Sequence, residues 1–292
     1  MTVGDFMTTE KRIITAENNY KNQIERIASE ITSDKNIRLV LIAGPSCSGK
    51  TTTSSTLSKM VYEMAGIVSH TISIDDFYHD VVFLPGETFA DKDFEALDSI
   101  DLDLLHKCLH DLALGKTVSI PLFDFELMRR NGFRSTITLK ENEIAIIEGL
   151  HALNPEIYEN FVEKSKIKSI FLDCNDIKDT HKNARLIRRL VRDRNFRNAD
   201  AFLTFTLWEK VLHGEEKYIY PFANKADYTV NTFHEYETEV LKPYAEVLLD
   251  EIKQDSIFIK EAESARLYIS HVNDIIEKSL IPDDSLLREF VG

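Results

Sequence analysis

An apolar strand, a glycine-rich loop and a helix follow one another between residues 38 and 64, and no other feature constrains the fold of this chain as strongly. Residues 40–52 read VLIAGPSCSGKTT. The glycines at both ends of the GPSCSG segment let the backbone turn tightly, so that successive N–H groups point inward at a polyphosphate. The helix that follows presents its N-terminus to the same anion. The segment therefore predicts a phosphate-binding loop in an α/β domain.

The loop and the first turn of the helix contain the predicted nucleotide-binding residues. These are Gly44, Pro45, Ser46, Cys47, Ser48, Gly49, Lys50, Thr51 and Thr52. Lys50 is expected to reach the β- and γ-phosphates, and Thr51 is expected to offer its hydroxyl to Mg²⁺. Because no activating base lies near Cys47 in the sequence, we interpret it as a small tolerated residue and not as a nucleophile.

Short, nearly continuous apolar runs predict further strands. They lie at residues 68–74, 143–147, 168–173 and 228–231, with a short extra strand at 136–139 in an inserted segment. Strands of this kind, separated by helices, favour a parallel sheet covered on both faces. We therefore predict an α/β protein with a P-loop NTPase fold and a small inserted lid or substrate region.

Helical spacing of apolar residues predicts the elements between and after these strands. The predicted helices lie at residues 101–114, 236–252 and 264–280, with one more within residues 1–35. We expect an N-terminal helical extension over residues 1–35 and a phosphate-loop domain over residues 36–292 that includes the C-terminal helices.

The composition narrows the classes of function. A formal net charge of −14 over 292 residues is unfavourable for binding nucleic acid or an anionic membrane. The three cysteines are far apart and lack metal-ligand spacing, which is typical of a reducing compartment. No run approaches the roughly 20 apolar residues of a membrane span. We expect a cytoplasmic protein that binds neither nucleic acid nor membrane.

Acidic residues follow three of the predicted strands. They are Asp75 and Asp76, Glu148, and Asp173. Ligands of a doubly wound sheet lie beyond the carboxyl ends of its strands, so these side chains are expected to converge on the nucleotide. A carboxylate beside a substrate hydroxyl can accept its proton, and another can hold a Mg²⁺-bound water. Asp75 is predicted for the first role and Glu148 for the second, the alternative for both being a helix N-cap.

One basic stretch departs from the acidic composition. Residues 185–197 read RLIRRLVRDRNFR. On a helix, four of these arginines share one face: Arg185, Arg188, Arg189 and Arg192. Guanidinium groups stabilise the charge of a transferring phosphoryl group, so the stretch predicts a clamp for a triphosphate in which Arg189, Arg192 and Arg197 take part. The alternative is a solvated helix face.

The order of the motifs along the chain is similar to that of a known family. GPSCSGKTT is followed by SIDDFYHD, DFEALDSIDLDLL, PLFDFELMRR, IAIIEGLHALNP, RLIRRLVRDRNFR and GEEKYIYPFANKADYTVNT. Over about residues 38–249 this series resembles the uridine kinase and phosphoribulokinase group of small-molecule kinases. It resembles most closely the bacterial nucleoside-kinase-like branch of that group.

The resemblance implies an activity and roles for single positions. It implies ATP-dependent phosphorylation of a primary hydroxyl on a small molecule, with Mg²⁺. Asp75 matches the catalytic base, and Lys50 and Thr51 match the phosphate and Mg²⁺ contacts. Arg192 and Arg197 match the lid arginines. Members of the group are often oligomeric, so the resemblance also allows a homo-oligomer.

Departures from the family pattern fall in the acceptor pocket. Where uridine–cytidine kinases carry a tyrosine and a histidine that contact the pyrimidine, this chain has Phe123 and Met128. Two later substrate contacts correspond to Ala199 and Leu207. A site without these polar groups cannot recognise the pyrimidine edge in the same way.

Other acceptor contacts of the family have counterparts here. Glu95 takes the position of the ribose-contacting aspartate, and Arg189 is kept. Tyr78 and Phe94 offer aromatic surfaces for a flat ligand, with ordinary core packing as the alternative. The predicted substrate-binding residues are thus Tyr78, Phe94, Glu95, Phe123, Met128 and Arg189.

Three functions are compatible with these observations. The first is a kinase for a nucleoside or a nucleoside-like alcohol. The second is a kinase for another alcohol, such as a sugar phosphate or a pantothenate-like compound, which the altered pocket permits. The third is a nucleotide-dependent regulatory module without small-molecule turnover, although such a module has no need of a base at Asp75.

Overall fold

A five-stranded sheet forms the centre of the computed structural model, which describes residues 8–87, 91–175, 182–272 and 274–292. The strands in these ranges are β1 (Leu39–Ala43), β2 (Val68–Ser73), β3 (Thr117–Asp124), β4 (Arg129–Thr138), β5 (Glu143–Glu148), β6 (Ile167–Asp173) and β7 (Tyr228–Asn231). The spatial order of the central sheet is β2-β5-β1-β6-β7, and each neighbouring pair is parallel. The predicted α/β fold with a mainly parallel sheet is confirmed.

Helices cover both faces of this sheet. Those within the described ranges are α1 (Thr9–Ser33), α2 (Lys50–Ala65), α3 (Leu102–Ala113), α4 (Pro155–Tyr158), α5 (Lys182–Arg197), α6 (Ala201–Tyr218), α7 (Tyr220–Ala223), α8 (Glu237–Asp250), α9 (Ile259–Ser270) and α10 (Arg288–Val291). Among them, none combines the length and the apolar character that crossing a lipid bilayer requires.

Strand β1 contributes side chains to two apolar cores. Val40 and Ile42 face the core that includes α1, α2, α5 and α8. Leu39 and Leu41 point the opposite way, into the core that includes α3 and α4, because successive side chains of a strand alternate between its faces. The strand is therefore fixed on both sides, and the loop that leaves its carboxyl end starts from a rigid position.

Helix α1 packs against α2 and against β7, the strand at one edge of the sheet. Ile24, Ile27 and Ile31 are buried on its inner face. The Tyr20 hydroxyl lies 2.9 Å from the Thr53 hydroxyl of α2, within hydrogen-bond distance. The predicted N-terminal helix is confirmed, whereas the division of the chain after residue 35 stays a prediction.

Strands β3 and β4 form a separate antiparallel hairpin that packs against the turn after β2. The sequence predicted only residues 136–139 of this hairpin as a strand, and that prediction was too short. Most residues of β4 are exposed, so the strand lacks the alternation of apolar and polar residues that reveals a half-buried strand. Pro121 also interrupts β3 at a shift of register.

Two C-terminal helices differ from their predicted extents. Helix α8 lies within the predicted range, but α9 ends at Ser270 and does not continue to residue 280. Beyond α9, the N–H of Ile276 donates to the carbonyl of Glu239 on α8 at 3.2 Å. The apolar residues after α9 therefore pack across a neighbouring helix instead of extending their own.

The carboxylate of Glu17 links α1 to two segments far away in the chain. Its Oε1 atom accepts hydrogen bonds from the hydroxyls of Tyr236 and Ser285, both at 2.5 Å, and the side chain is buried. Burial favours a higher pKa for this carboxyl, but the contact with His234 and the two hydroxyl donors outweigh it, so the pKa of Glu17 is lowered. The charged form is thus the one that the folded state stabilises.

We expect Glu17→Ala to lower the free energy of unfolding by about 2–3 kcal/mol, because two buried hydroxyls lose a charged acceptor. Glu25→Ala, on the exposed face of the same helix, is the matched control and should change it by less than about 0.5 kcal/mol. Urea unfolding at pH 7 measures both, and equal losses would contradict the role of Glu17. Since the pKa of Glu17 is lowered on folding, its contribution is lost as the pH falls through the folded value.

Candidate active site

The phosphate loop leaves β1 between its two neighbours, β5 and β6, and leads directly into α2. A Cβ atom at Gly44 would lie 2.7 Å from the carbonyl oxygen of Leu172 on β6, so only glycine fits there. Gly49 caps α2 with φ +80, a conformation that glycine adopts without strain. The ammonium group of Lys50 donates to the carbonyls of Gly44 and Pro45 at 2.8 and 3.1 Å. The positive charge of Lys50 thus lies against the loop.

The two threonines after Lys50 have different surroundings. Thr51 is exposed in the first turn of α2, where its hydroxyl is accessible. Thr52 donates its hydroxyl to Glu289 Oε2 on α10 at 2.7 Å. Leu286, just before α10, packs against Gly49. The C-terminal segment therefore forms part of the wall of the loop, which no sequence motif indicated.

Two of the predicted carboxylates reach the loop from neighbouring strands. Asp75 lies in the turn Ile74–Phe77 directly after β2, and Glu148 is the last residue of β5. Burial raises the pKa of Asp75, while the charges of Lys50 and Arg197 oppose the rise. Burial also raises the pKa of Glu148, and the charge of Asp75 adds to the rise while Lys50 opposes it. The two acids and Lys50 therefore share one electrostatic environment.

Asp76 belongs to a different part of the structure from Asp75. Its buried carboxylate forms a two-point ion pair with Arg134 of β4, with Nη2 and Oδ1 at 2.8 Å. It also accepts a hydrogen bond from the backbone N–H of Phe123 at 3.3 Å. Asp76 therefore anchors the hairpin and leaves Asp75 to face the loop. The fourth predicted carboxylate, Asp173, accepts from the N–H of Cys174 at 2.9 Å.

The helical face predicted to direct several arginines of α5 at a triphosphate includes Arg185 and Arg188, and these two are bound inside the protein instead. Arg185 pairs with Glu215 at 2.7 Å, and Arg188 pairs with Glu237 at 2.6 Å. All four side chains are buried. Buried guanidinium groups need a carboxylate partner, and here the partners come from α6 and α8, which the periodicity of α5 does not reveal.

The other three candidate arginines surround Asp193 on the same helix. Its Oδ2 atom lies 3.2 Å from Arg189 Nε, and its Oδ1 atom lies 2.9 Å from Arg192 Nη2 and 3.8 Å from Arg197 Nε. Arg189 also donates to the Ser46 hydroxyl of the loop at 2.9 Å. Asp193 thus holds a group of cations beside the phosphate loop, a function that the sequence analysis did not assign to it.

Aromatic rings lie beside Asp75, on one side of the region between the phosphate loop, the Asp75 turn and Glu95, which is called the crevice below. The ring centroid of Tyr78 lies 6.1 Å from that of Phe94, 5.5 Å from that of Phe123 and 6.2 Å from that of Phe125, in edge-to-face contacts. Burial, and then the charge of Asp75, raise the pKa of the Tyr78 hydroxyl. The structure therefore brings together three residues that the sequence predicted for substrate binding, and Phe125 is a fourth member of this aromatic cluster that the sequence did not indicate.

Met128 lies at the turn of the hairpin. It is buried and has a φ of +52, which is uncommon for a residue with a side chain. Its carbonyl accepts a hydrogen bond from the N–H of Val81 at 2.9 Å. The hairpin turn therefore presents a fixed apolar group at this position.

Glu95 lies on the same side of the crevice and is half-buried. Burial raises the pKa of its carboxyl to about 7, with the charge of Arg189 opposing the rise and that of Glu215 adding to it. A Cβ atom at Gly214 of α6 would lie 2.5 Å from the Glu95 Cβ, so α6 approaches Glu95 closely. The crevice thus holds a carboxyl group that titrates near neutral pH.

His151 is a further candidate for the site. The sequence did not point to it, except that it lies three residues after Glu148. The ring is buried, with its centroid 5.3 Å from that of Tyr218. Neither ring nitrogen has a hydrogen-bond partner of normal geometry among the described residues. Burial lowers the pKa of His151 to about 4, against a weaker contact with the Glu95 backbone. The imidazole is therefore neutral at pH 7.

Oxygen ligands suited to Mg²⁺ are present beside the loop. Thr51 has an exposed hydroxyl, and the Glu148 carboxylate is repelled by Asp75, a repulsion that a bound cation would relieve. The described residues contain no group of three or more acidic, histidine or cysteine side chains that could hold a metal ion. Mg²⁺ in phosphoryl-transfer sites is usually held by one or two protein oxygens together with phosphates and water. Thr51 and Glu148 therefore fit this ion.

The parallel sheet and the glycine-rich loop between β1 and α2 define a P-loop protein. The chain belongs to the phosphoribulokinase / uridine kinase family, whose model matches residues 39–239.

Individual relatives support this family at moderate identity. A uridine kinase of Schizosaccharomyces pombe is 34% identical over 181 residues, which are 60% of this chain and 37% of that protein. A uridine kinase of Macrococcus caseolyticus is 32% identical over 155 residues, which are 53% of this chain and 68% of that protein. The match thus spans well under half of the first relative.

Among solved structures, a "possible uridine kinase" from Bacillus stearothermophilus is similar to this chain. Its TM-score is 0.49 at 20% identity, and the match covers 72% of this chain and 98% of that one.

We expect the Glu95→Gln variant to gain stability relative to the wild-type protein as the pH rises from about 4.5 to 7. The folded carboxyl keeps its proton up to about pH 7, whereas the ordinary pKa is 4.5. The folded state therefore binds more protons than the unfolded state in this window, and the stability of the wild-type protein falls as the pH rises. Urea unfolding at several pH values measures the trend. The exposed control Glu216→Gln should not show it.

Proposed function

We propose that this protein is an ATP-dependent kinase that transfers the γ-phosphoryl group to a primary hydroxyl of a nucleoside-like acceptor. The observation that carries the proposal is the position of Asp75 at the phosphate loop, in the electrostatic environment of Lys50. A base next to a phosphate-binding lysine serves transfer to an acceptor. A protein that only binds nucleotide has no need of it.

In the proposed reaction, different residues of the crevice bind the phosphates, bind Mg²⁺ and accept the proton. Lys50 and the N–H groups of the loop hold the phosphates of ATP. Thr51 and Glu148 would hold Mg²⁺, which neutralises negative charge on the phosphate oxygens. Asp75 accepts the proton of the acceptor hydroxyl as the hydroxyl oxygen bonds to the γ-phosphorus, while the bond from the γ-phosphorus to the β,γ-bridging oxygen breaks and ADP leaves. The raised pKa of Asp75 makes it a stronger base than an ordinary aspartate.

Cations from α5 complete the proposed mechanism. Arg192 and Arg197 lie beside the loop and are held by the Asp193 carboxylate. Arginine side chains in this position stabilise the charge that spreads over the transferring phosphoryl group. Arg197 is more than half exposed, so its guanidinium group can reach a bound nucleotide.

The acceptor side supports a nucleoside-like alcohol that differs from uridine. Phe123 and Met128 are buried and apolar, so they offer the pyrimidine edge no hydrogen bond. Glu95 stands where the family has its ribose-contacting carboxylate and can accept hydrogen bonds from hydroxyl groups of a sugar. The same apolar side chains are also compatible with the second candidate, a kinase for a non-nucleoside alcohol.

The proposal also includes the setting of the reaction. The acceptor is a small molecule, and the net charge of −14 makes nucleic acid or an anionic membrane an unfavourable partner. The proposed location is the cytoplasm, and the proposal is compatible with a homo-oligomer.

A panel of acceptors tests the proposed function. The protein is incubated with Mg-ATP and with nucleosides, sugar phosphates or vitamin precursors, and ADP formation is compared with the rate without acceptor. Lys50→Ala gives the background, and Lys59→Ala on the exposed face of α2 is its matched control. A Lys50→Ala protein that binds and hydrolyses ATP normally would overturn the assignment of the loop. Mg-ATP binding without turnover of any acceptor would support a regulatory module instead.

With a confirmed acceptor, we expect Asp75→Asn to lower the turnover number by about 10²- to 10⁴-fold, because asparagine cannot accept the proton. The affinity for ATP should stay nearly unchanged, since the loop and Lys50 hold the phosphates. Asp76→Asn is the control. It should mainly reduce stability, because Asp76 pairs with Arg134 of the hairpin. A severe loss of turnover at Asp76 with little at Asp75 would reverse the assignment.

Uridine and cytidine should be poor substrates compared with their use by authentic uridine kinases, because Phe123 and Met128 make no polar contact with the base. Met128→His should improve kcat/KM for uridine, and histidine tolerates the positive φ of this position better than most residues. Steady-state kinetics with both nucleosides measure the change. Efficient use of uridine by the wild-type protein, with no effect of Met128→His, would show that the pocket is assigned wrongly.

A further inference from the structure

Ser46 of the phosphate loop is held at both of its backbone groups by one ion pair. Its N–H donates to Glu215 Oε1 at 2.9 Å, and its carbonyl accepts from Arg185 Nη1 at 3.2 Å. Arg185 binds the same carboxylate through two hydrogen bonds, at 2.7 and 2.8 Å. Arg185 is 1% exposed and Glu215 is 0% exposed. The pair therefore closes a ring of hydrogen bonds around one residue of the loop, inside the protein.

A second ion pair holds the next residue. Arg188 Nη1 donates to the carbonyl of Cys47 at 3.0 Å, while Nε and Nη2 bind the Glu237 carboxylate at 2.8 and 2.6 Å. Cys47 has a φ of +62, a conformation that costs energy for a residue with a side chain. Such a left-handed residue lets neighbouring N–H groups converge on one point, as in an anion-binding nest. The Arg188 pair thus supports the strained residue that shapes the loop.

Two roles are open to a carboxylate that binds the N–H of a phosphate loop. It can occupy the place of a phosphate oxygen and block the site until nucleotide displaces it. Alternatively, it can lie behind the loop and fix its shape. The two roles predict opposite effects on nucleotide affinity when the charge is removed.

The surroundings of Glu215 favour the second role. A substitute for phosphate would attract the ammonium group of Lys50, but Lys50 donates to the carbonyls of Gly44 and Pro45. Glu215 is also completely buried. Its partner Arg185 is covered by Trp208, since the guanidinium carbon lies 5.4 Å from the centroid of the indole ring. A carboxylate enclosed in this way does not face the side from which nucleotide enters.

We propose that Glu215, through its ion pair with Arg185, is a positioning residue of the phosphate loop, and that the Arg188–Glu237 pair acts with it. This inference rests on the proposed function, because it takes ATP as the ligand of the loop. The pairs do not touch the nucleotide. They fix the Ser46–Cys47 backbone so that the N–H groups that follow are already directed at the phosphates, and less ordering remains to be done on binding.

Binding of Mg-ATP without acceptor, measured by titration calorimetry, tests the proposal. Glu215→Gln keeps the shape and an oxygen for the Ser46 N–H but removes the charge that holds Arg185. We expect it to weaken Mg-ATP binding by about 10- to 100-fold. Glu216→Gln, at the exposed neighbouring position, should bind as the wild-type protein does. Tighter or unchanged binding in Glu215→Gln would overturn the proposal, and tighter binding would indicate a blocking carboxylate.

A second variant separates positioning from simple stabilisation. Arg185→Met combined with Glu215→Leu replaces the ion pair by apolar side chains, an exchange that often preserves stability. We expect this double variant to unfold near the wild-type temperature while its Mg-ATP binding stays weakened by about 10-fold or more. Wild-type affinity in the folded double variant would show that the polar contacts to Ser46 are dispensable and would overturn the proposal. This variant also provides the test if Glu215→Gln does not fold.

The result can be told apart from a failure of the proposed function. If the wild-type protein and Lys50→Ala bind Mg-ATP equally weakly, the loop is not the ATP site and the proposed function fails first. If the wild-type protein binds Mg-ATP and Glu215→Gln binds equally well, only the positioning role fails.

Discussion

The charges of Arg185 and Arg188 lie inside the protein, and the geometry of the crevice depends on how those charges are paired. Removing two guanidinium groups from water is unfavourable unless carboxylates and further acceptors surround them. Here Glu215 and Glu237 supply the charges, and further acceptors are the carbonyl groups of the phosphate loop and the carbonyl of Thr232. Some of the hydrogen bonds that satisfy the two buried cations are therefore also bonds that hold the backbone of the phosphate loop. This explains why a loop with a strained residue can keep one conformation.

Local sequence patterns were sufficient for the parts of the fold that are formed locally. The loop from Gly44 to Lys50 could be predicted because strand, turn and helix signals are contiguous there. The buried strands of the parallel sheet were predicted because they are apolar along their length. The hairpin of β3 and β4 was mostly missed, since its outer residues are exposed and the ion pairs that anchor it, Asp76–Arg134 and Asp101–Arg130, join residues far apart in the chain.

The candidate site was less predictable because its polar groups come from distant parts of the chain. The sequence indicated Asp75 and Glu148 as strand-end carboxylates, and the structure places both by the loop. Nothing in the sequence distinguished Arg185, which is bound inside, from Arg197, which is mostly exposed, because the distinction depends on carboxylates of α6 and α8. The sequence likewise could not predict that the ring of His151 is buried and neutral, since the residues around it belong to α6 and to the segment of Glu95.

The hydrogen bond between Thr52 and Glu289 joins residues that are 237 positions apart. Contacts over such distances form late, and α10 is the last helix of the described chain to be synthesised. During synthesis on the ribosome, Glu215 and Glu237, whose ion pairs hold the loop backbone, therefore emerge before α10 is available to cover the loop. A nascent chain that extends only to α9 would leave the Gly49 surface open to solvent. The order of translation thus supplies the residues that support the loop before the C-terminal residues that enclose it.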